Sequence, residues 1–453
     1  MVALISLVVI LVTGYLIVKK YNPQMVLFIA GIVLLASAIL LGVGTPLPEA
    51  KSSGSVWLDI FTYIKGMMGS TVADLGLIIM AVGGFAKYMD HIGASRALVA
   101  ISTRPLSVIR NPYLVMAMGY ILGQLLNIFI PSAAGLGLLL MVTMYPIMTS
   151  LGVSRMSAAA IIATTACLDL GPASGNVNLA AKIADMPVTE YFLSYQGPVA
   201  IASMITIAVL HMVVQRWFDL REAKNPVAYE ATEEETKELV TPPLWYALFP
   251  MIPLVLIFTF SKMVITTVKI DVVTAMLISF AVAMAVESIR FGGKKVFKDI
   301  LVFFDAMGKA FARVVSLIIA GQTLAHGLKA IGILDMVIHG AIASNISPVY
   351  LVVLMVIIIT VAAFLMGSGN APFFSFAAMV PDIAAKVGIS SASMLLPMQL
   401  AAGLGRTISP ITGVIVAVAG AAGVSPFDLV KRTAIPMLGA LLVSTVYSLV
   451  FYV

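Results

Sequence analysis

The chain has 453 residues, 61% hydrophobic and only 11% charged, with a mean hydropathy of +1.07; a water-soluble protein of this size has no interior large enough to hide so much apolar surface. A net charge of +6 would suit a nucleic-acid partner in a soluble protein, but in lipid an excess of Lys and Arg marks cytoplasmic loops. The single cysteine, Cys167, excludes an internal disulfide and every multi-cysteine metal motif.

The apolar runs are about 17 to 25 residues long, which suits helices crossing a hydrocarbon core about 30 Å thick and not the short alternating strands of a barrel. An all-α polytopic membrane protein is therefore predicted. The first run, ALISLVVILVTGYLIV, has no basic residue before it, and Lys19 and Lys20 follow it without a small-residue cleavage site, which predicts a retained span. Further spans are predicted near 24–42, 72–89, 156–181 and 194–215, then 243–261, 270–289, 310–328, 392–420 and 433–453. Within each set of five, a further apolar stretch, 112–150 or 347–385, is interrupted midway by Pro, Gly, Ser or Asn and is predicted to be a re-entrant hairpin. Segments 45–71 and 91–111 mix charge with apolar residues and predict amphipathic helices along the interface. The long polar stretch 216–242 reads as a cytoplasmic linker between a first repeat, 1–215, and a second, 243–453.

Sliding the chain against itself by about 239 positions exposes the repeat. Met68-Gly69, Ala73, Ala81, Ala86 and Ile92-Gly93 fall on Met307-Gly308, Ala312, Ala320, Ala325 and Ile331-Gly332. With small slips, Pro146 meets Pro381, Pro172 meets Pro410, Gly175 meets Gly413 and Pro198 meets Pro436. Five crossings per half would invert the second half relative to the first. With the N-terminus outside, Lys87, Arg96, Arg104, Arg155, Arg216, Lys224, Arg290, Lys294 and Arg432, among others, fall inside, whereas few, such as Lys182, Lys262, Lys269 and Lys329, fall outside. Ten crossings, two hairpins and two periplasmic termini are the expectation.

Irregular backbone at membrane depth is tolerated only where protein or a water-filled cavity surrounds it. Four stretches are of this kind: Asn127 to Gly137, Leu168 to Asn178, Met366 to Phe373 and Leu404 to Gly413. Each offers half-helix N-termini whose free N–H groups suit a carboxylate. The candidate direct ligands are Ser132, Ser174, Asn176, Asn178, Ser368, Asn370, Thr407, Ser409 and Thr412. The competing account is that Ser, Thr and Gly only allow close helix packing and Pro only kinks.

Two ionisable residues fall inside the breaks, Asp169 and Arg406, and a charge at that depth costs at least ~2.5 kcal/mol unless paired or hydrated. Arg406 has a planar fork suited to a substrate carboxylate. Alternatively it forms a structural pair with Asp169, which repeat matching sets opposite Thr407. Lys309, Arg313 and Asp74 are placed near span ends, where snorkelling to the interface is expected. His326 reads as a satisfied helix-end histidine and the many Met residues as packing filler. No nucleophile, metal cluster or acid–base pair at depth points to an enzyme, and breaks concentrated at mid-depth suit a carrier better than a channel.

The stretch MGSGNAPFFSFAAMVP, followed by LGRTISPITGVIVAVAG and SPFDLVKRTAIP, resembles the signature region of the DcuC family of anaerobic four-carbon dicarboxylate transporters. GGFAKYMDHIGA, SAAGLGLLLM and GPASGNV resemble the same family's first half, so the likeness covers nearly the whole chain. The plan of hairpin then broken helix is also similar to that of the divalent anion/sodium symporters and their ion transporter superfamily. The resemblance implies exchange or efflux of succinate, fumarate, malate or aspartate across a bacterial inner membrane. It also implies a homodimer working by an elevator-type mechanism, with no cofactor and with Na+ or H+ as the candidate coupling ion. Its ligand positions correspond to the regions of Ser132, Ser174 to Asn178, Ser368 to Asn370 and Thr407 to Thr412. A carrier of another organic anion, a monocarboxylate or an acylated amino acid, is the alternative.

Overall fold

The computed structural model describes residues 2–19, 21–222, 242–261, 264–333, 336 and 347–453, and the described residues form helices and turns without a strand. Lys20, Lys224 and Lys262 of the charge pattern, and most of the expected linker, lie outside them. The first half comprises α1 (Val2–Val18), α2 (Pro23–Leu41), α3 (Val56–Thr71), α4 (Leu77–His91), α5 (Ala94–Thr103), α6 (Pro112–Asn127), α7 (Ala133–Ser150), α8 (Arg155–Thr164), α9 (Gly175–Ile183) and α10 (Gly197–Glu222). The second comprises α11 (Ile252–Thr259), α12 (Val272–Phe291), α13 (Gly293–Ala310), α14 (Ser316–Ala330), α15 (Pro348–Met366), α16 (Asn370–Ala377), α17 (Val380–Val387), α18 (Ser391–Thr407), α19 (Gly413–Ala422) and α20 (Pro426–Tyr452). Among the described residues seven helices are long and apolar enough to cross a membrane: Pro23–Leu41, Val56–His91, Ala133–Ser150, Val188–Glu222, Val272–Phe291, Pro348–Met366 and Pro426–Tyr452. Several helix starts are written locally. In Asn22-Pro23, Asn111-Pro112 and Ser347-Pro348 the first side chain accepts a first-turn N–H, and the proline lacks an N–H that would otherwise go unpaired.

The repeat is visible in the elements themselves. α3 and α4 form one continuous helix through a π-turn at Val72–Gly76, and α13 and α14 do the same through a π-turn at Phe311–Val315, the same residues shifted by 239. Residues 56–71 are thus not the interfacial helix expected for 45–71. Between Ser70 and Leu77 the chain has neither a proline nor a left-handed glycine, so nothing ends the helix. Nor does the segment 91–111 lie free: α5 packs against α7 and the 3-10 turn Leu244–Met251, burying Ala97 and Val99 completely. The expected span 243–261 is that 3-10 turn followed by α11, because Pro250 and Pro253 interrupt the α-helical ladder.

The halves interlock. α14 lies along α2 and α13 along α4, while α12 also packs on α4. The α2–α14 seam is close because both sides carry glycine: a Cβ on Gly31 would sit 2.6 Å from the Thr323 carbonyl carbon, and one on Gly327 2.7 Å from the Gly31 carbonyl oxygen. A second cluster of helices joins α6 to α10 and α8, α7 to α19, α15 to α18, and α20 to both α10 and α18. At one end of this cluster Arg432 of α20, 1% exposed, pairs with Asp219 at 2.7 Å and Glu222 at 2.8 Å on α10. These pairs explain why α10 runs past residue 215, where the linker was expected to begin: residues 216–222 are its last turns.

Because the space beside Gly31 is occupied by backbone, Gly31→Val is expected to destabilise the protein by about 1–3 kcal/mol. Thermal unfolding in detergent reads this, and an unchanged midpoint would show that the α2–α14 seam can separate freely.

Candidate functional site

The four interruptions anticipated in the sequence touch one another in a chain. Between α6 and α7, buried Asn127 accepts the Leu170 N–H at 3.3 Å and donates to the Ile130 carbonyl at 3.3 Å, tying the first break to the second. Ser132 caps α7 by accepting the Gly135 N–H at 3.2 Å. Between α8 and α9 the backbone passes through left-handed conformations at Asp169 (φ 47) and Gly171 (φ 86). Buried Gln196 satisfies this turn, accepting the Gly171 N–H at 3.2 Å and donating to the Asp169 carbonyl at 3.1 Å. Asn178 donates to the Pro172 and Ser174 carbonyls at 2.7 and 2.8 Å.

The second-half breaks close the chain. A Cβ on Gly403 of α18 would lie 2.1 Å from the Cys167 carbonyl oxygen, so α18 meets the α8–α9 break backbone to backbone. The hairpin tip does likewise: a Cβ on Gly369 would lie 2.4 Å from the Ala402 carbonyl oxygen, and one on Gly367 2.7 Å from the Ile411 side chain. In the α18–α19 break the Thr407 hydroxyl donates to the Gly403 carbonyl at 2.7 Å, the Thr433 hydroxyl donates to the Thr407 carbonyl at 3.1 Å, and the Thr412 hydroxyl donates to the Arg406 carbonyl.

Arg406 and Asp169 meet across this contact. The Arg406 Nη2 donates to Asp169 Oδ1 at 2.9 Å and to the Ala166 carbonyl at 2.7 Å, with the two side chains 13% and 11% exposed. The other carboxylate oxygen accepts the Asn176 amide at 2.9 Å. Of the two sequence-based alternatives for Arg406, the geometry therefore contains the pair with Asp169. Asn176, Thr407, Ser409 and Thr412 are all buried around it, whereas Ser174 and Ser368 flank the breaks as the N-cap of α9 and a tip residue of the second hairpin.

Only three of the candidate ligands, Ser132, Asn178 and Asn370, line a large cavity of about 610 Å³. The first turns of three helices open onto it, through Gly135 of α7, Gly175 of α9 and Asn370 of α16. Facing them are Lys87 and Asp90 of α4, Asp305 and Lys309 of α13 and Arg313 of the π-turn. Three helix N-termini and an excess of basic side chains over acidic ones make the cavity favourable for an anion.

Lys309 and Arg313 were expected to snorkel at span ends, but they line the cavity. Their helix does not begin near residue 310; it runs unbroken from α13, so both lie well inside it. The four-residue spacing of Asp305, Lys309 and Arg313, one helical face pointing one way, was the available signal. Asp74, expected to behave alike, instead meets Lys182 at 3.4 Å. His326 is a satisfied helix residue, its Nε2–H donating to the Pro46 carbonyl at 2.9 Å and its ring stacked 3.6 Å from that of Tyr63.

Taken together, a bundle of apolar helices with four breaks, beside an anion-favouring cavity, has the construction of a membrane carrier. The chain belongs to the DcuC family, whose description is C4-dicarboxylate anaerobic carrier and whose sequence profile matches residues 1–453. It is 37% identical over 441 residues to the anaerobic C4-dicarboxylate transporter DcuC of Escherichia coli K12, covering 97% of this chain and 94% of that one. It is 36% identical over 437 residues to a probable DcuC of Vibrio cholerae, covering 96% and 94%. These relatives are named as transporters and not as enzymes. The fold is similar to that of Neisseria gonorrhoeae MtrF, one of a class of antimetabolite efflux pumps (TM-score 0.61, 14% identity, 95% of each chain). It is similar also to the Alcanivorax borkumensis YdaH transporter (TM-score 0.59, 18% identity, 95% of this chain and 98% of that one).

Removing one partner of a buried ion pair strands the other charge, which costs about 3–5 kcal/mol, whereas removing both costs less. Asp169→Ala and Arg406→Met are therefore each expected to destabilise more than the double variant. Equal stability of all three proteins in thermal unfolding would show that the pair does not hold the breaks together.

Proposed function

We propose that this protein carries small dicarboxylate anions of the succinate and fumarate type by exchange or efflux, and that the cavity between the three helix N-termini and the Lys309–Arg313 face is where they bind. The observation that carries this reading is the bipolar construction of that cavity. A four-carbon dicarboxylate has two separated negative ends. One end is matched by N–H groups of α7, α9 and α16 with the hydroxyl of Ser132 and the amide of Asn370; the other is matched by Lys87, Lys309 and Arg313. The names of the DcuC relatives support the same substrate class. A monocarboxylate would use only one end and leave the basic face unmatched.

Alternating access follows, in this reading, from movement of the hairpin and broken-helix cluster past α2, α4, α13 and α14. Its inner contacts join elements of both halves, as a rigid cargo-bearing unit would need. The halves are inverted relative to each other, with 223–241 connecting them on the cytoplasmic side and both termini periplasmic in a bacterial inner membrane, as the Lys and Arg distribution favours. The protein works as a homodimer without a cofactor, with Na+ or H+ as coupling ion. Arg406 and Asp169 act by fixing the breaks, which aims the helix N-termini at the anion.

Proteoliposomes preloaded with unlabelled dicarboxylate are expected to accumulate labelled succinate, and absence of any dicarboxylate flux would sink the assignment. Arg313→Gln is expected to raise KM for succinate about tenfold, the ~1.4 kcal/mol that loss of one charge-assisted contact carries. An unchanged KM would remove Arg313 from the site.

A further inference from the structure

A second cavity, about 350 Å³, lies between α3, α14, α9 and the outer arm of the second hairpin. The parts of its walls that the two long helices supply repeat those of the first cavity. Ile318, Gln322, Ala325, His326 and Lys329 of α14 occupy the positions of Ile79, Gly83, Ala86, Lys87 and Asp90 of α4, and Tyr63 and Met67 of α3 those of Val302 and Ala306 of α13. Every one of these pairs is separated by the same 239 positions as the two π-turns. The internal repeat has thus produced two cavities related as its halves are related.

The same two short helices also reach both cavities. α9 presents Gly175 and Asn178 to the first cavity and Leu179 and Ile183 to the second; α16 presents Asn370 to the first and Phe374 to the second, followed by Ala378 just past its end. Along the continuous helix α3–α4 the lining passes from Met67 at the second cavity to Ile79 at the first, a rise of roughly 18 Å at 1.5 Å per residue. The first cavity receives helix N-termini and a majority of basic side chains, which favour an anion. The second receives helix C-terminal ends and one basic side chain already engaged: Lys329 Nζ lies 2.9 Å from both carboxylate oxygens of Asp382 on α17.

We propose that the second cavity is the anion's vestibule on the opposite side of the membrane, in which Lys329 receives a substrate carboxylate in place of the Asp382 carboxylate. This rests on the dicarboxylate reading above. The exchange substitutes one carboxylate for another at the same ammonium, so α14 releases the second hairpin only as the anion arrives. Asp382 is thereby a competitor of the substrate and a latch on the hairpin.

Two measurements test it. In sealed vesicles of known orientation, Ala86→Cys and Ala378→Cys, one in each cavity, are expected to react with a membrane-impermeant thiol reagent from opposite faces; buried Cys167 makes the unmodified protein the control. Labelling of both from one face would overturn the vestibule assignment, and this readout does not depend on which anion is carried. In proteoliposomes, Lys329→Met is expected to raise KM for succinate at least tenfold and Asp382→Asn to lower it by about threefold or more. Lys329→Gln serves as a second variant, and thermal unfolding confirms that each is folded. Equal losses of transport and stability in the Lys329 and Asp382 variants would make the pair purely structural and overturn the role of Lys329. If the unmodified protein shows no dicarboxylate flux, the substrate reading fails while the thiol labelling still decides the vestibule.

Discussion

The site depends on a place where backbone meets backbone: Gly403 of α18 against the Cys167 carbonyl in the α8–α9 break. No side chain fits between them, so a broken helix of one half and a helix leading into the break of the other are held at a separation set by the peptide groups themselves. Asp169 and Arg406 sit beside this contact and join the two breaks by charge, while Asn127, Gln196 and Thr433 supply partners for the peptide groups that the breaks leave without helical bonds. The half-helices can then end inside the protein without the penalty of unpaired N–H and C=O groups, and their N-termini become available to a ligand.

The long helices have a different task. α3–α4 and α13–α14 give the cavities their outer walls, and each packs on the second helix of the opposite half. Glycines bring both seams to backbone distance, Gly31 and Gly327 between α2 and α14 and Gly84 against the Phe303 carbonyl between α4 and α13, while Lys87, Lys309 and Arg313 line the cavity beside the second seam. Small residues set where the walls touch, and long basic ones set where they part.

The sequence made the architecture readable because its interruptions are chemically explicit. Pro and Gly clusters in apolar runs marked all four breaks, and the repeat placed Asp169 next to Arg406, where the two are found. The basic face of the cavity was missed for a physical reason. Hydropathy finds where a helix becomes apolar, not where it begins, so a helix starting at Gly293 was read as starting near residue 310 and its midpoint as an end. Thr412, whose hydroxyl donates to the Arg406 carbonyl, marks a limit of such reading. A hydroxyl beside a break is polar whether it faces a ligand or caps a neighbouring carbonyl, and only packing distinguishes the two.

The π-turns at Val72–Gly76 and Phe311–Val315 carry a consequence of their own. An extra residue within a helical turn rotates everything after it by about 100°, so the face a helix shows to its partner before the turn is not the face it shows afterwards. Such turns have poorer hydrogen bonding than the helix around them, and a helix relieved of one would straighten into regular geometry. Their presence at the same register in both halves means that the change of face recurs with the repeat, so both long walls turn their faces at corresponding points.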